Sequence, residues 1–225
     1  MKAKYYNSSR IIRIPVIAGA GVQPKNLLFI RPGLSLLVIP NWLSRQESDD
    51  LVIDLLNVLD WSQGAIRLFG RKIDEPRITT WCGDVPYTYS NRELVPKPWP
   101  INLVKIRDAL DHLLNYHEIQ TLQGLNHCLL NYYRAGTDSM GWHRDNEPEL
   151  GRHPVVVSLS LGEPRRFRLK SRINKAISPL TFDLGHGDLL VMYGTTQVYW
   201  EHALVKTKKI VGGRMNLTFR SVGIV

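Results

Sequence analysis

A chain of 225 residues with 44% hydrophobic content carries enough apolar material for one domain with a sizeable core. No apolar run approaches the roughly 18 residues of a membrane span, because Leu34–Ile39 is stopped by Pro40, and no signal-peptide pattern is visible. Two cysteines, Cys82 and Cys128, make neither a disulfide framework nor a Cys-x-x-Cys metal motif, so they fit a reducing interior as buried thiols and we expect an intracellular protein.

The net charge of +9 is unevenly placed. No acidic residue precedes Glu47, while Lys2, Lys4, Arg10, Arg13, Lys25, Arg31 and Arg45 supply seven positives, which leaves about +2 for the remainder. Residues 1–30, broken by Pro15, Gly19, Gly21 and Pro24, read as a basic arm with one short strand. Such an arm suits attraction to polyphosphate, but a solvated tail or an acid-poor targeting peptide would look the same. Leu34–Ile39 reads as a buried strand. Ser44 and Glu47 then form a capping box ahead of Leu51, Leu55 and Leu59, which predicts a helix over 45–59.

Gly64 to Gly83 is turn-rich. Its Leu68-Phe69-Gly70-Arg71-Lys72 fits an exposed hairpin tip whose Phe69 could wedge between bases, or a core-facing strand followed by a turn. Arg77, Trp81, Tyr87 and Tyr89 make either a stacking platform for a base or the packing of a long loop. Pro98 and Pro100 introduce a second helix over 101–116, whose stripe Leu103, Ile106, Leu110, Leu113 and Leu114 would brace a sheet. From residue 124 short strands follow at 126–134, 155–161, 167–170, 188–193, 200–205 and 215–221, spaced as in an antiparallel sandwich or barrel.

The chemistry concentrates between Asn131 and Glu147. His143-x-Asp145 would place an imidazole and a carboxylate on one face of a strand, two-thirds of the 2-His-1-carboxylate triad that holds non-haem Fe(II). Among seven histidines, His202 after Trp200-Glu201 is the best third ligand. The rival pair His186-x-Asp188 sits in a glycine turn and leaves only 13 residues before His202, against 56 between Asp145 and His202. On the last strand, Arg214, Asn216, Thr218 and Arg220 share a face opposite Met215, Leu217 and Phe219. Two arginines on a core-like strand are costly unless they meet anions, and a small dicarboxylate beside Fe(II) suggests 2-oxoglutarate. Asn131 and Tyr133 add neutral hydrogen-bonding groups. Two surface arginines on an exposed face remain the structural alternative.

Over about residues 34–222 these motifs resemble the AlkB-type family of Fe(II)- and 2-oxoglutarate-dependent nucleic-acid dealkylases. They are Asn131-x-Tyr133, His143-x-Asp145, Gly187-Asp188-Leu-Leu-Val-Met, Trp200-x-His202 and Arg214-x-Asn216-x-Thr218-x-Arg220. The resemblance implies a mainly β fold with bracing helices (α+β), a double-stranded β-helix or jelly roll carrying an N-terminal nucleotide-recognition lid. The expected layout is a basic arm over 1–30 and a single domain over 31–225, with the lid at about 60–100 and the jelly-roll core at 124–222. It implies that His143, Asp145 and His202 bind iron and that Asn131, Tyr133, Arg214, Asn216 and Arg220 hold 2-oxoglutarate. It also implies that the ring of His143 and Tyr89 or Tyr87 sandwich a flipped base, whose polar edge Glu147 or Asn146 meets, with Arg77 and Phe69 in the recognition segment.

The implied reaction consumes O2 and 2-oxoglutarate, removes N-methyl groups of the 1-methyladenine or 3-methylcytosine type from DNA or RNA, and releases succinate, CO2 and formaldehyde. A cationic lesion that has lost its pairing costs less to extrude and suits an aromatic cage near a carboxylate. We expect a monomer without membrane contact. Arg166, Arg168, Lys170 and Arg172, with Lys206, Lys208 and Lys209 downstream, would track a phosphate backbone, or else mark a solvated edge strand. Two further readings are a 2-oxoglutarate hydroxylase acting on protein or a small molecule, and a nucleic-acid-binding jelly roll without turnover.

Overall fold

The computed structural model describes residues 10–14, 26–68, 71–89 and 92–223. The basic segment supplies two strands, β1 (Arg10–Ile14) and β2 (Asn26–Arg31), where one was expected; β3 (Leu34–Ile39) follows. The Ser44 capping box is formed and starts α1 (Arg45–Val58). The expected hairpin is β4 (Ala65–Leu68) with β5 (Arg71–Asp74), and its Phe69 wedge lies outside the described residues. Next come β6 (Ile78–Gly83), the hairpin β7 (Tyr87–Tyr89) and β8 (Arg92–Leu94), and α2 (Ile101–Tyr116). The remaining strands are β9 (His127–Tyr133), β10 (Met140–His143), β11 (Val156–Gly162), β12 (Arg165–Ser171), β13 (Leu180–Leu184) and β14 (Asp188–Tyr193). A single helical turn, α3 (Thr196–Tyr199), precedes β15 (Trp200–Leu204) and β16 (Arg214–Arg220).

Two antiparallel sheets face each other as a jelly roll. The large sheet runs β1-β2-β3-β14-β11-β16-β9-β6 and the small one β10-β15-β12-β13. Alternation along the large sheet splits the core in two. Leu36, Val38, Val156 and Leu190 face the small sheet, where Phe167 and Leu169 meet them. Leu37, Ile39, Val157, Leu159, Val191, Leu217 and Phe219 face the other way, against Leu51 and Leu55 of α1 and Leu103, Leu110 and Leu114 of α2. The helices therefore brace the back of the large sheet and leave its other face for a pocket. Burying one such leucine or phenylalanine stabilises the fold by about 1.5–3 kcal/mol.

Two details depart from the sequence reading. The segment read as an aromatic loop contains an edge strand of the large sheet, β6, whose Trp81 packs with Tyr87 and Leu129 and donates from Nε1 to Val95 O at 2.8 Å. The basic strand β12 is no edge strand: β15 and β13 flank it. Charge along an edge deters strand addition, so its cations need another explanation.

Candidate active site

The pocket opens between the two sheets. Its floor comes from Asn131 and Tyr133 of β9, Ser158 of β11 and Asn216, Thr218 and Arg220 of β16; His143 of β10 and Phe167 and His202 from the small sheet close the other side, and Tyr89 joins from the β7–β8 hairpin. The two alternations expected from sequence, Asn131 with Tyr133 and Arg214, Asn216, Thr218 with Arg220, meet in antiparallel register, Asn216 opposite Asn131 and Arg214 opposite Tyr133.

His143 and His202 are register partners on β10 and β15, with ring centroids 4.2 Å apart. Ligand atoms of His143, Asp145 and His202 all lie within 4.8 Å of one another. Strand periodicity does not by itself place Asp145, because β10 ends at His143. Two contacts hold it instead. Arg220 Nη2 donates to Asp145 Oδ1 at 2.6 Å, and the Asp145 backbone N–H donates to Gln197 Oε1 at 3.0 Å. His143 Nδ1 lies 2.9 Å from Gly141 O; a carbonyl only accepts, so Nδ1 carries the proton and Nε2 keeps its lone pair for a metal. Phe167 stacks on His202 at 5.4 Å.

Electrostatics match a cation site. Burial, with His143 and Arg220 adding to it, holds His202 down at about 3, and burial also lowers His143, so both imidazoles are neutral. Burial alone would raise Asp145, but the Arg220 guanidinium hydrogen-bonded to it overcomes this and holds the carboxyl at about 2. Asp145 Oδ2 has no hydrogen-bond donor although it is buried, and it faces His202 Nε2 at 3.6 Å. A divalent metal is the partner that satisfies an orphaned carboxylate oxygen beside two imidazole lone pairs. The donor set fits Fe(II).

The residues expected to hold a dicarboxylate divide. Asn131, Tyr133, Asn216 and Arg220 line the pocket. Asn131 Oδ1 accepts from Arg77 Nε at 2.8 Å, which leaves its Nδ2 to donate. Asn216 is oriented by Ser158 Oγ at 3.0 Å and Thr218 Oγ1 at 2.9 Å. Arg214 does not line the pocket. It is 1% exposed beside Tyr133, and its guanidinium donates to Leu184 O at 2.7 Å and Ser160 Oγ at 2.6 Å. Burial lowers it to about 10. The Nε atoms of both Arg214 and Arg220 are buried without an acceptor; at Arg220, which lines the pocket, an anion would supply one.

The expected base-contacting residues are also separated. Tyr89 lines the pocket with Arg220 Cζ 5.5 Å from its ring centre. Tyr87 is 1% exposed, edge-on to His127 at 4.8 Å, and offers no free face to a base. Arg77 is buried between Asn131 and Glu75, whose Oε1 accepts from Nη2 at 2.9 Å, so it orients Asn131 rather than stacking. Asn146 is exposed and Glu147 half-buried, its carboxyl raised by burial and by Asp145. Phe69 is outside the described residues.

The rival pair is a turn. Gly187 has φ +82 and a Cβ there would run into Leu43 O, while Asp188 accepts from Gly185 N at 2.7 Å and Asn41 N at 2.9 Å. His186 Nδ1 accepts from Gly162 N at 2.7 Å, and Nε2 stands 3.1 Å from Asp49. Sequence reasoning missed Gln197. It sits 52 residues from Asp145 in a four-residue helical turn, and no spacing rule points to it.

A sequence profile described as the 2OG-Fe(II) oxygenase superfamily matches residues 35–220. The chain is 34% identical over 191 residues to the alpha-ketoglutarate-dependent dioxygenase alkB homolog 3 of Bos taurus, covering 81% of this chain and 64% of that protein, so it spans a little under two thirds of that relative. It is 33% identical over 189 residues to the DNA oxidative demethylase ALKBH2 of Homo sapiens, covering 79% of this chain and 70% of that protein. Among solved structures, that of OsALKBH1 superposes with a TM-score of 0.59 at 21% identity over 86% of this chain and 99% of the other, a likeness of fold.

Proposed function

Because the chain belongs to the 2OG-Fe(II) oxygenase superfamily, and within it to the AlkB-type proteins, we propose that it oxidatively demethylates N-alkylated bases such as 1-methyladenine and 3-methylcytosine in DNA or RNA. The observation that carries this reading is the cluster of half-buried His143 with buried Asp145 and His202, opening into a pocket shared with Arg220 and Tyr89. Bound Fe(II) with 2-oxoglutarate and O2 would supply oxidation of the N-methyl carbon, yielding succinate, CO2 and a hemiaminal that releases formaldehyde and the restored base.

The chain's own residues do the positioning. His143, Asp145 and His202 would bind the metal, and Arg220 would keep Asp145 ionised. Asn131, Tyr133 and Asn216 would donate to the cosubstrate, with Arg220 pairing a carboxylate and Arg214, buried beside Tyr133, adding positive potential from outside the lining. Arg77 acts through Asn131. Tyr89 would supply one face for the extruded base opposite His143, and Glu147 or Asn146 would meet its polar edge; Tyr87 would support Tyr89 from beneath. The packed small-sheet residues Phe167 and Leu204 would keep water from the reacting carbon. All these groups come from one chain, so the working unit in this reading is a monomer, acting inside the cell where such nucleic acids are found.

The test is anaerobic loading with Fe(II) and 2-oxoglutarate, then O2 with a 1-methyladenine oligonucleotide. Formaldehyde and restored adenine in equal amounts are expected. Succinate without base repair would move the substrate to a protein or small molecule. Metal and cosubstrate binding without any turnover would reject the enzyme reading.

A further inference from the structure

The four-stranded sheet has an outer face that the pocket does not use. His202 and Leu204 of β15 line the pocket, so Glu201 and Ala203 point outwards, and register places Arg168 beside Ala203 and Lys170 beside Glu201. Trp142, one residue before His143 on the edge strand β10, is 39% exposed on this side. Lys170 Nζ lies 4.3 Å from its ring centre and Arg168 Cζ 5.9 Å. An exposed indole flanked by two cations therefore spans three strands, back to back with the histidine pair.

We propose that this face, centred on Trp142, Arg168 and Lys170, docks the single strand of nucleic acid that flanks the target nucleotide. The inference rests on the nucleic-acid reading above and adds where the strand runs. Four cations alternate along β12 and just beyond it, Arg166, Arg168, Lys170 and Arg172. Opposing them are Asp183, 3.8 Å from Arg166, and Glu201, 3.2 Å from Lys170 and 3.6 Å from Arg172. Arg168 has no acidic partner among the described residues, and the face keeps an excess of positive charge. The Arg166–Asp183 pair is solvent-exposed and the Glu201 pairs partly so, which keeps them weak enough for a phosphate to exchange into them.

β12 is an interior strand, and the charge has no edge to protect. An acidic peptide would need the cations but not a flat exposed indole. Every nucleobase has a π-face to lay on it, and base–aromatic stacking is independent of sequence. Trp142 and His143 are adjacent along the chain, about 3.8 Å between Cα atoms, and among the described residues no strand pairs with the far side of β10. A strand leaving the pocket over that edge meets Trp142 first.

The experiment compares KM for a 1-methyladenine trinucleotide and for a single-stranded 15-mer carrying the same lesion, in the iron- and 2-oxoglutarate-loaded enzyme. Loss of one stacked base in Trp142→Ala should raise the 15-mer KM about tenfold, with a much smaller effect on the trinucleotide. Arg168→Glu, which keeps the indole, should raise the 15-mer KM and flatten its salt dependence. Arg45→Glu on α1 makes the same charge change far from the sheet and should alter neither. Anisotropy with unmodified dT15 should follow the same ranking.

A wild-type ratio of the two KM values in both Trp142→Ala and Arg168→Glu would overturn the docking face while leaving the demethylase reading intact. Competition by polyglutamate as strong as by dT15 would overturn it too, as a site for acidic protein. Trp142-dependent dT15 binding by an enzyme that repairs neither substrate would keep the face and reject the demethylase.

Discussion

Arg220 and Asp145 form a charge pair in which each side chain is 2% exposed or less and the contact is 2.6 Å. Arg220→Met keeps much of the side-chain volume and removes the cation. Asp145 would then be buried with Oδ2 already orphaned and Oδ1 newly so. Breaking a buried pair by deleting one partner costs about 3–5 kcal/mol, because the remaining charge keeps its desolvation penalty. The cation also lies 5.5 Å from the Tyr89 ring and 5.9 Å from Tyr87, so a further fraction of a kcal/mol up to about 1 is lost with it. Urea unfolding of the metal-free protein, followed by tryptophan emission, should therefore show Arg220→Met less stable by about 3–5 kcal/mol. Two additions sharpen the assay. Saturating Mn(II) should recover part of the loss, since the metal supplies the charge Asp145 has lost. Asp145→Leu in the Arg220→Met background should also recover stability, because it removes the uncompensated carboxylate. A metal-free loss below about 1 kcal/mol, or a double variant less stable than Arg220→Met, would refute the idea that this pair holds Asp145 in place.

Gln197→Leu orphans the buried Asp145 N–H and should weaken Mn(II) binding about tenfold, the equivalent of one lost hydrogen bond; Gln197→Glu keeps the acceptor, and equal Kd values for Leu and wild type by electron paramagnetic resonance would dismiss the role. His127 is fully buried and burial lowers it to about 3 from 6.5, so the unfolded chain takes up its proton first and stability falls as pH drops below 6.5 towards 3. Between pH 7 and pH 5 the wild type should lose about 2 kcal/mol more than His127→Phe; parallel pH profiles in denaturant titrations would contradict this. Ser44→Ala removes the oxygen that accepts from Glu47 N at 3.3 Å and should cost about 1 kcal/mol, read as a lower urea midpoint with an unchanged slope. An unshifted midpoint would mean that tertiary packing alone starts α1.

Local rules carried much of this protein. The capping box and the leucine spacing of 45–59 and 101–116 anticipated both long helices to within one residue at each end, because caps and 3.6-residue periodicity act over a few neighbours. Period-two alternation placed Asn216, Thr218 and Arg220 opposite Met215, Leu217 and Phe219, and the identities of His143, Asp145 and His202 were legible as a metal set. What sequence could not decide was which polar groups meet across large separations. Asp145 lies past the end of its strand and is held by Arg220, 75 residues away, and by Gln197, 52 away. Tyr87 and Trp81 carry the composition of a stacking platform, yet hairpin and sheet packing turn them inwards and leave Tyr89 at the pocket. Arg77 was read as a base contact and is occupied by Asn131 and Glu75. The charged-edge alternative for the cations of β12 falls because two strands flank it, which makes them a face. Propensity and periodicity are properties of neighbours along the chain; hydrogen-bond partners and sheet order follow from how the two sheets close on each other, and that is set by the packing of the whole core.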